Sequence, residues 1–215
     1  EILRCLVGSE MCIRDRYNHS YINWANEVYK PTYITQHTLN LTGGSEVGRY
    51  LVSFDYLDQP GLVKNTEYQR YSYRVNTDLN IGKMLKVSSD VTYRHVDRLW
   101  PESLGSVQYD VWSMQPTSPV RYENGDYRLD KQNRNAISLM DLDVVGEDRY
   151  NMDVVYGQVK ADFEPIKDLV FTGMASLNGS WDRRKIHYKN YKYYNEAGEL
   201  VTQRNNPNSV KAVSY

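Results

Sequence analysis

The stretch YQRYSYRVNTDLNIGKMLKVSSDVTYRHVDR, residues 68–98, decides the fold of this chain. Taking every second residue of its first arm gives Tyr71, Tyr73, Val75, Thr77, Leu79 and Ile81. The residues between them are Arg70, Ser72, Arg74, Asn76, Asp78 and Asn80. One face is apolar or amphipathic and the other is polar. The second arm repeats the pattern, with Leu85, Val87, Ser89, Val91 and Tyr93 against Lys86, Ser88, Asp90, Thr92 and Arg94. A period of two predicts strands, because successive side chains of a strand point to opposite faces. Gly82-Lys83-Met84 between the arms has room only for a tight hairpin turn.

Ordinary strands run about five or six residues. These arms alternate for about ten or more, the length a tilted strand needs to cross a bilayer. Lipid offers no partner for backbone N–H and C=O groups, so membrane strands close into barrels. The hairpin alone fits either a transmembrane β-barrel or a large soluble β-sandwich or barrel.

Upstream, Arg49 to Tyr56 alternates, with Tyr50, Val52, Phe54 and Tyr56 apolar and only Leu51 out of pattern. Tyr33 to Thr42 places Leu39, Leu41 and His37 on one face. Gly43 to Glu46 reads as a turn, and residues 58–67, with Pro60-Gly61, as a longer loop. Before them, residues 17–32 predict a short helical lead-in, with Asn23 as N-cap and Pro31 as stop. It is too short to hold alone and must pack on something. Residues 1–16, EILRCLVGSEMCIRDR, carry both cysteines, Cys5 and Cys12, and show no alternation. They read as non-native read-through; the other reading is a native helix with a Cys-x6-Cys pair. The remainder has no cysteine and therefore no disulfide framework.

Downstream, the pattern breaks over about 98–150, a stretch with several prolines and Asn124-Gly125, which predicts a small hairpin of Val120–Tyr122 with Tyr127–Leu129. Alternation returns with Val155, Gly157, Val159, Ala161 and Phe163, then with Leu169, Phe171, Gly173, Ala175, Leu177, Gly179 and Trp181 after a turn at Glu164 to Asp168. A second long polar segment follows over 183–215. Connections are short after 42, 81 and 163 and long after 57, 97 and 182. A meander with every second connection long gathers its long loops on one side, as in outer-membrane barrels. The apolar faces have no mid-strand Lys or Arg, although His37 is an exception, and Tyr93 and Trp181 fall near long-loop ends, where an aromatic girdle belongs. The expected fold is therefore all-β: an antiparallel up-and-down meander of about six strands, part of a large transmembrane β-barrel over residues 33–215.

The composition agrees. The chain has 215 residues and a net charge of −1, which argues against a nucleic-acid partner. A mean hydropathy of −0.68 suits strands with one polar face, and no apolar run reaches the ~18 residues of a transmembrane helix. Tyrosine is over-used, 20 residues against 3 Phe and 4 Trp, which suits strands, membrane interfaces and polar binding surfaces alike.

Several motifs resemble the start of the barrel in SusC/RagA-type TonB-dependent outer-membrane transporters. They are Asn23 and Trp24 in the lead-in; His37, Leu39, Leu41, Gly43 and Gly44 in the first strand and turn; Gly61 to Asn65; and Arg70, Tyr71, Ser72, Arg74 and Asn76. The Pro165-Ile166-Lys167-Asp168-Leu169 turn is similar to one that recurs in that family. The likeness covers roughly residues 18–96 and, less closely, 150–182. It implies a non-enzymatic importer of bulky nutrients, oligosaccharides or peptides, in the cell outer membrane. It also implies a barrel of about 22 strands with an N-terminal plug, a SusD-like surface lipoprotein as lid, and energy from TonB through a TonB box. Signal peptide, TonB box and plug are not among these residues, so a fragment is expected. The other readings are a soluble β-sheet carbohydrate-binding or adhesin module, and a passive porin or assembly barrel.

No catalytic constellation is apparent, and neither cofactor nor metal is expected. His19, His37, His95 and His187 are scattered without metal-ligand spacing. Asp141, Asp143, Glu147 and Asp148 form an acidic cluster that reads as a solvated loop or, alternatively, a calcium site. The ligand-contact candidates are Trp100, Tyr109, Trp112, Tyr122 and Tyr127, whose rings would stack on sugars, grip the lid or pack the loop. Arg70, Arg74, Asp78 and Arg94 are the lumen-facing candidates, set to line the path or bond the plug. Substrate identity is not legible, since specificity lives in loops and plug.

Overall fold

Alternation this long leaves one stable solution, a sheet of paired strands, and six long strands do form one meander. The computed structural model describes residues 21–129, 135–195, 199–204 and 210–214, the last as backbone alone. Residues 1–16, with Cys5 and Cys12, and residues 17–20, with His19, lie outside the described residues. The strands are β1 (Thr35–Gly44), β2 (Gly48–Asp58), β3 (Glu67–Ile81), β4 (Leu85–Pro101), β5 (Gly146–Ile166) and β6 (Leu169–Tyr188), each antiparallel to the next. A short strand, β9 (Val210–Ser214), adds to β6, while β7 (Tyr191–Tyr194) and β8 (Leu200–Arg204) make a separate ribbon. The short turns at 45–47, 82–84 and 167–168 share one end of the sheet. Residues 59–66, 102–145 and 189–209 connect strands at the other. The turn after β3 is opened by Gly82 at φ +66, a conformation cheap only without a Cβ.

The register turns the alternation into rows that cross all six strands. One row reads Leu41, Val52, Val75, Val91, Gly157, Leu177; the next towards the long loops reads Leu39, Phe54, Tyr73, Tyr93, Val155, Gly179. The row after that reads His37, Tyr56, Tyr71, His95, Asp153, Trp181, and beyond it comes Thr35, Asp58, Gln69, Asp97, Asn151, Arg183. An apolar band thus ends in a row of rings, then in a polar row. His37 lies in the ring row, level with Tyr56, so its exception to the pattern disappears. From Ile81 to Tyr71 the band spans ten residues, about 33 Å along a strand and about 25 Å once tilted by about 40°, the height of the apolar band of an outer-membrane barrel.

No second layer covers this band among the described residues. Tyr73, Val75, Leu79 and Ile81 are 47, 39, 45 and 56 % exposed, and Leu177 and Trp181 on β6 are 69 and 56 % exposed. A soluble sandwich would bury these residues under a facing sheet.

The strands outrun the band. β4 continues to Pro101 and β5 starts at Gly146, so the long connection spans 102–145 rather than 98–150. The reason is that Arg98 to Pro101 find backbone partners in Glu147 to Tyr150. β6 likewise extends into the 183–215 segment, to Tyr188.

The buried core is not in the sheet but at its long-loop end. Trp24, Val28, Val107, Val111, Met114, Ala136 and Met140 pack together there. Trp24 and Val28 come from α1 (Trp24–Val28), where Asn23 accepts from the Asn26 backbone as expected of an N-cap. Val107 and Val111 come from α2 (Leu104–Ser113), a helix not anticipated inside the loop. One turn and a half of α1 cannot stand alone. It is held by Ile22 N–H to Pro116 O (2.8 Å), Trp24 Nε1 to Gln115 O (3.0 Å) and Lys30 N–H to Leu62 O (2.8 Å). The lead-in is therefore clamped between two loops, which closes the end of the sheet with a small packed cap.

Candidate functional site

The polar face opposite the apolar band carries the lumen-facing candidates. Successive rows there hold Asp55, Ser72 and Arg94; then Ser53, Arg74 and Thr92; then Asn76, Asp90 and Gln158; then Asp78, Ser88 and Lys160. Charges of both signs alternate across strands, and most are satisfied locally. Arg70 Nη2 lies 3.1 Å from Asp55, which also accepts from Gln36 (2.6 Å) and Thr38 (2.9 Å). Arg74 approaches Asp90 at 3.5 Å, and Asp78 accepts from Ser88 at 2.6 Å. Arg94 is exposed on the same face. A shallow trough of about 390 Å³ runs past Arg49, Asn76, Asp78, Asp90, Gln158 and Lys160. All four candidates thus share one face. Arg70, Arg74 and Asp78 spend charge on neighbours, which rigidifies the face more than it prepares any one of them for chemistry.

Near the long loops the parity inverts. Leu57, Val96, Met152 and Trp100 sit on the otherwise polar face, and Val96 is buried. This is where the cap leans on the sheet. Between the two lies a concavity of about 670 Å³, walled by Tyr29, Leu57, Tyr68, Arg70, Trp100 and Leu104 among others. Arg70 reaches it with Nε buried and unbonded. Of these only Arg70 and Trp100 were expected from sequence; the apolar residues that break parity, Leu57 on β2 and Val96 and Trp100 on β4, were the available signal.

The aromatic candidates divide. Trp100 lies under the Arg98 guanidinium, 3.8 Å from the ring centroid, with Tyr150 on the same cation at 4.8 Å. Tyr109 and Trp112, three apart on α2, project outward at 70 and 74 % exposure. Tyr122 sits at the small hairpin, which forms around Gly125 with an Arg121–Tyr127 bridge, and has the Arg128 guanidinium 5.7 Å from its ring centroid. Tyr127 is only 9 % exposed; it donates to Asp141 at 2.7 Å and carries Arg121 on its ring at 3.7 Å. It packs the cap and is not available for stacking on a ligand.

Burial pushes the Tyr127 hydroxyl up to about 12, and the bond to Asp141 adds to this. The unfolded value is about 10. Because folding raises the value, the stabilisation is complete below about pH 10 and is lost as pH climbs towards about 12. Protection of 102–145 against an alkaline protease should therefore fall over that window. Tyr127→Phe should lower protection at neutral pH, by about 1 kcal/mol, and flatten the alkaline fall. An unchanged fall in the variant would assign the transition to other groups.

The acidic residues do not converge. Asp141 takes Tyr127, Asp143 meets Lys189 at 2.8 Å, and Asp148 holds Arg184 through two guanidinium nitrogens at 2.9 and 2.6 Å. Glu147 lies 3.6 Å from Arg149. The described residues contain no group of three or more His, Cys, Asp or Glu placed to hold a metal ion.

No family model matches the chain. Two curated proteins of Formosa agariphila are similar to it. TonB-dependent receptor P26 is 30 % identical over 106 residues, 49 % of this chain and 10 % of its own length. TonB-dependent receptor P3 is 31 % identical over 84 residues, 36 % of this chain and 8 % of its own. The chain thus spans about a tenth of the length of these relatives. Among solved structures, that of the RagAB peptide transporter superposes on 87 % of this chain and 24 % of its own chain, with a TM-score of 0.66 and 20 % identity. At that identity the likeness is one of fold. These relatives are receptors and transporters, not enzymes.

Proposed function

We propose that this chain is a length of wall from a SusC/RagA-like, TonB-dependent importer of the outer membrane. It carries the first strands of the barrel over 33–188, led in by the helical segment within 17–32 and roofed by surface loops. The observation that carries the reading is the uncovered apolar band, about 25 Å tall, ended by rings at the long-loop side. Lipid covers the band, and the charged face lines the water-filled or plugged interior. The long-loop end faces the outside of the cell, and its cap stands at the mouth.

The cargo is a bulky nutrient, a peptide or an oligosaccharide. The RagAB likeness supports the peptide. A SusD-like lipoprotein closes the mouth, and TonB supplies the energy through parts of the protein outside this chain. A host lacking the gene should lose uptake of its cargo, tested with defined peptide and oligosaccharide mixtures as sole nutrient. Removal of TonB should abolish the same uptake. Uptake that persists without TonB would make the barrel a passive pore.

A further inference from the structure

Three cations stand just beyond the ring row on the lipid-facing side of β5 and β6. Arg183 is two residues past Trp181, and Lys185 two past Arg183, so all three point the same way. Arg149 is directly opposite Lys185 in the register. Like charges in that position repel, and a sheet under no other demand avoids the pairing. The nearby acids neutralise it poorly. Arg149 is 3.6 Å from Glu147, Arg183 is 3.9 Å from Asp153 while 71 % exposed, and Lys185 has no ion pair among the described residues. The neighbouring columns carry no cation at these heights: Asp58, Gln69 and Asp97 lie in the Arg183 row, and Glu67 and Leu99 in the row of Arg149 and Lys185. The positive charge is therefore local to β5–β6.

We propose that Arg149, Arg183 and Lys185 form a seat for the phosphate of a glycolipid headgroup in the outer leaflet. Position selects the ligand. The cations sit one or two rows above Trp181, about 7–14 Å along the strand from the ring row, which is headgroup height. They occupy adjacent strands about 5 Å apart, so one phosphate reaches more than one of them. A lipid so held places its acyl chains along Trp181 and Leu177, both well exposed below. The inference rests on the barrel reading above.

The test uses the full-length protein in nanodiscs of phosphatidylcholine doped with phosphorylated lipid A or with the same lipid after dephosphorylation. The wild type should retain the phosphorylated form preferentially. Arg149→Gln/Arg183→Gln/Lys185→Gln should weaken that retention roughly tenfold to a hundredfold. Lys83→Gln/Lys167→Gln, at the short-turn end, should leave it unchanged. Equal retention of the two lipids, or a triple variant that binds like wild type, overturns the proposal. Full displacement by millimolar inorganic phosphate also overturns it, since the seat would then take the free anion. Failure of the wild type to enter nanodiscs at all would instead overturn the barrel reading.

Discussion

Replacing Val91 with arginine is expected to destabilise the membrane-inserted protein by about 2–4 kcal/mol, the cost of a cation at mid-depth on a lipid-facing strand. Val91 is 45 % exposed and lies in the middle row of the band, between Val75 and Gly157. In water such a site accepts arginine almost freely, usually within about 0.5 kcal/mol. The size of the loss therefore reports what touches the side chain. Asn76→Arg, on the opposite face, is the control and should cost less than about 1 kcal/mol beside Asp90. Denaturant unfolding of the full-length protein in lipid vesicles measures both. Similar small losses for the two would mean that water bathes the band, and the membrane reading would fall.

The second large effect is in the cap. Asn135 is 1 % exposed, and its side chain fills four hydrogen-bonding roles. Its Nδ2 donates to Val120 O (2.9 Å) and Arg128 O (2.7 Å), and its Oδ1 accepts from the backbones of Ile137 (3.1 Å) and Ser138 (3.0 Å). Asn135→Ala leaves these buried groups without partners, at about 1–3 kcal/mol each before relaxation. The expected local loss is about 3–5 kcal/mol, enough to open the connection over 102–145 while the strands stay paired. Hydrogen exchange should show amides around Val107, Val111 and Met140 losing protection, with those of β3 and β4 unchanged. Loss spread evenly over sheet and cap would mean that the two unfold as one unit.

How much was readable beforehand differs between these two sites. The side assigned to Val91 follows from residues two apart, and strand geometry converts that spacing directly into a face. The same holds for the Asn23 cap of α1, whose signal lies within four residues. Asn135 is half legible: its bonds to the Ile137 and Ser138 backbones are local, an Asn ahead of a helical turn, whereas the Val120 and Arg128 carbonyls lie 15 and 7 residues away and meet it only after the loop folds. The helix α2 was half legible. Leu104, Val107 and Val111 have helical spacing, but Pro101, Pro116 and Pro119 around them read as loop. Tyr109 and Tyr127 look alike in sequence, and only tertiary packing makes one an outward ring and the other a buried strut. The switch of apolar residues onto the polar face, at odd Leu57 on β2 and at even Val96 and Trp100 on β4, was visible, and it marked where the cap rests.

In the proposed barrel, the upper reach of β4 and β5 would stand proud of the bilayer. From His95 to Pro101 the ladder climbs six residues past the ring row, about 20 Å along the strand and about 15 Å in height. In the proposed outer-membrane barrel such a parapet would raise the doorway above the lipid headgroups. Visitors from the medium, whether nutrients, antibodies or phages, would then meet the rim before they meet the bilayer.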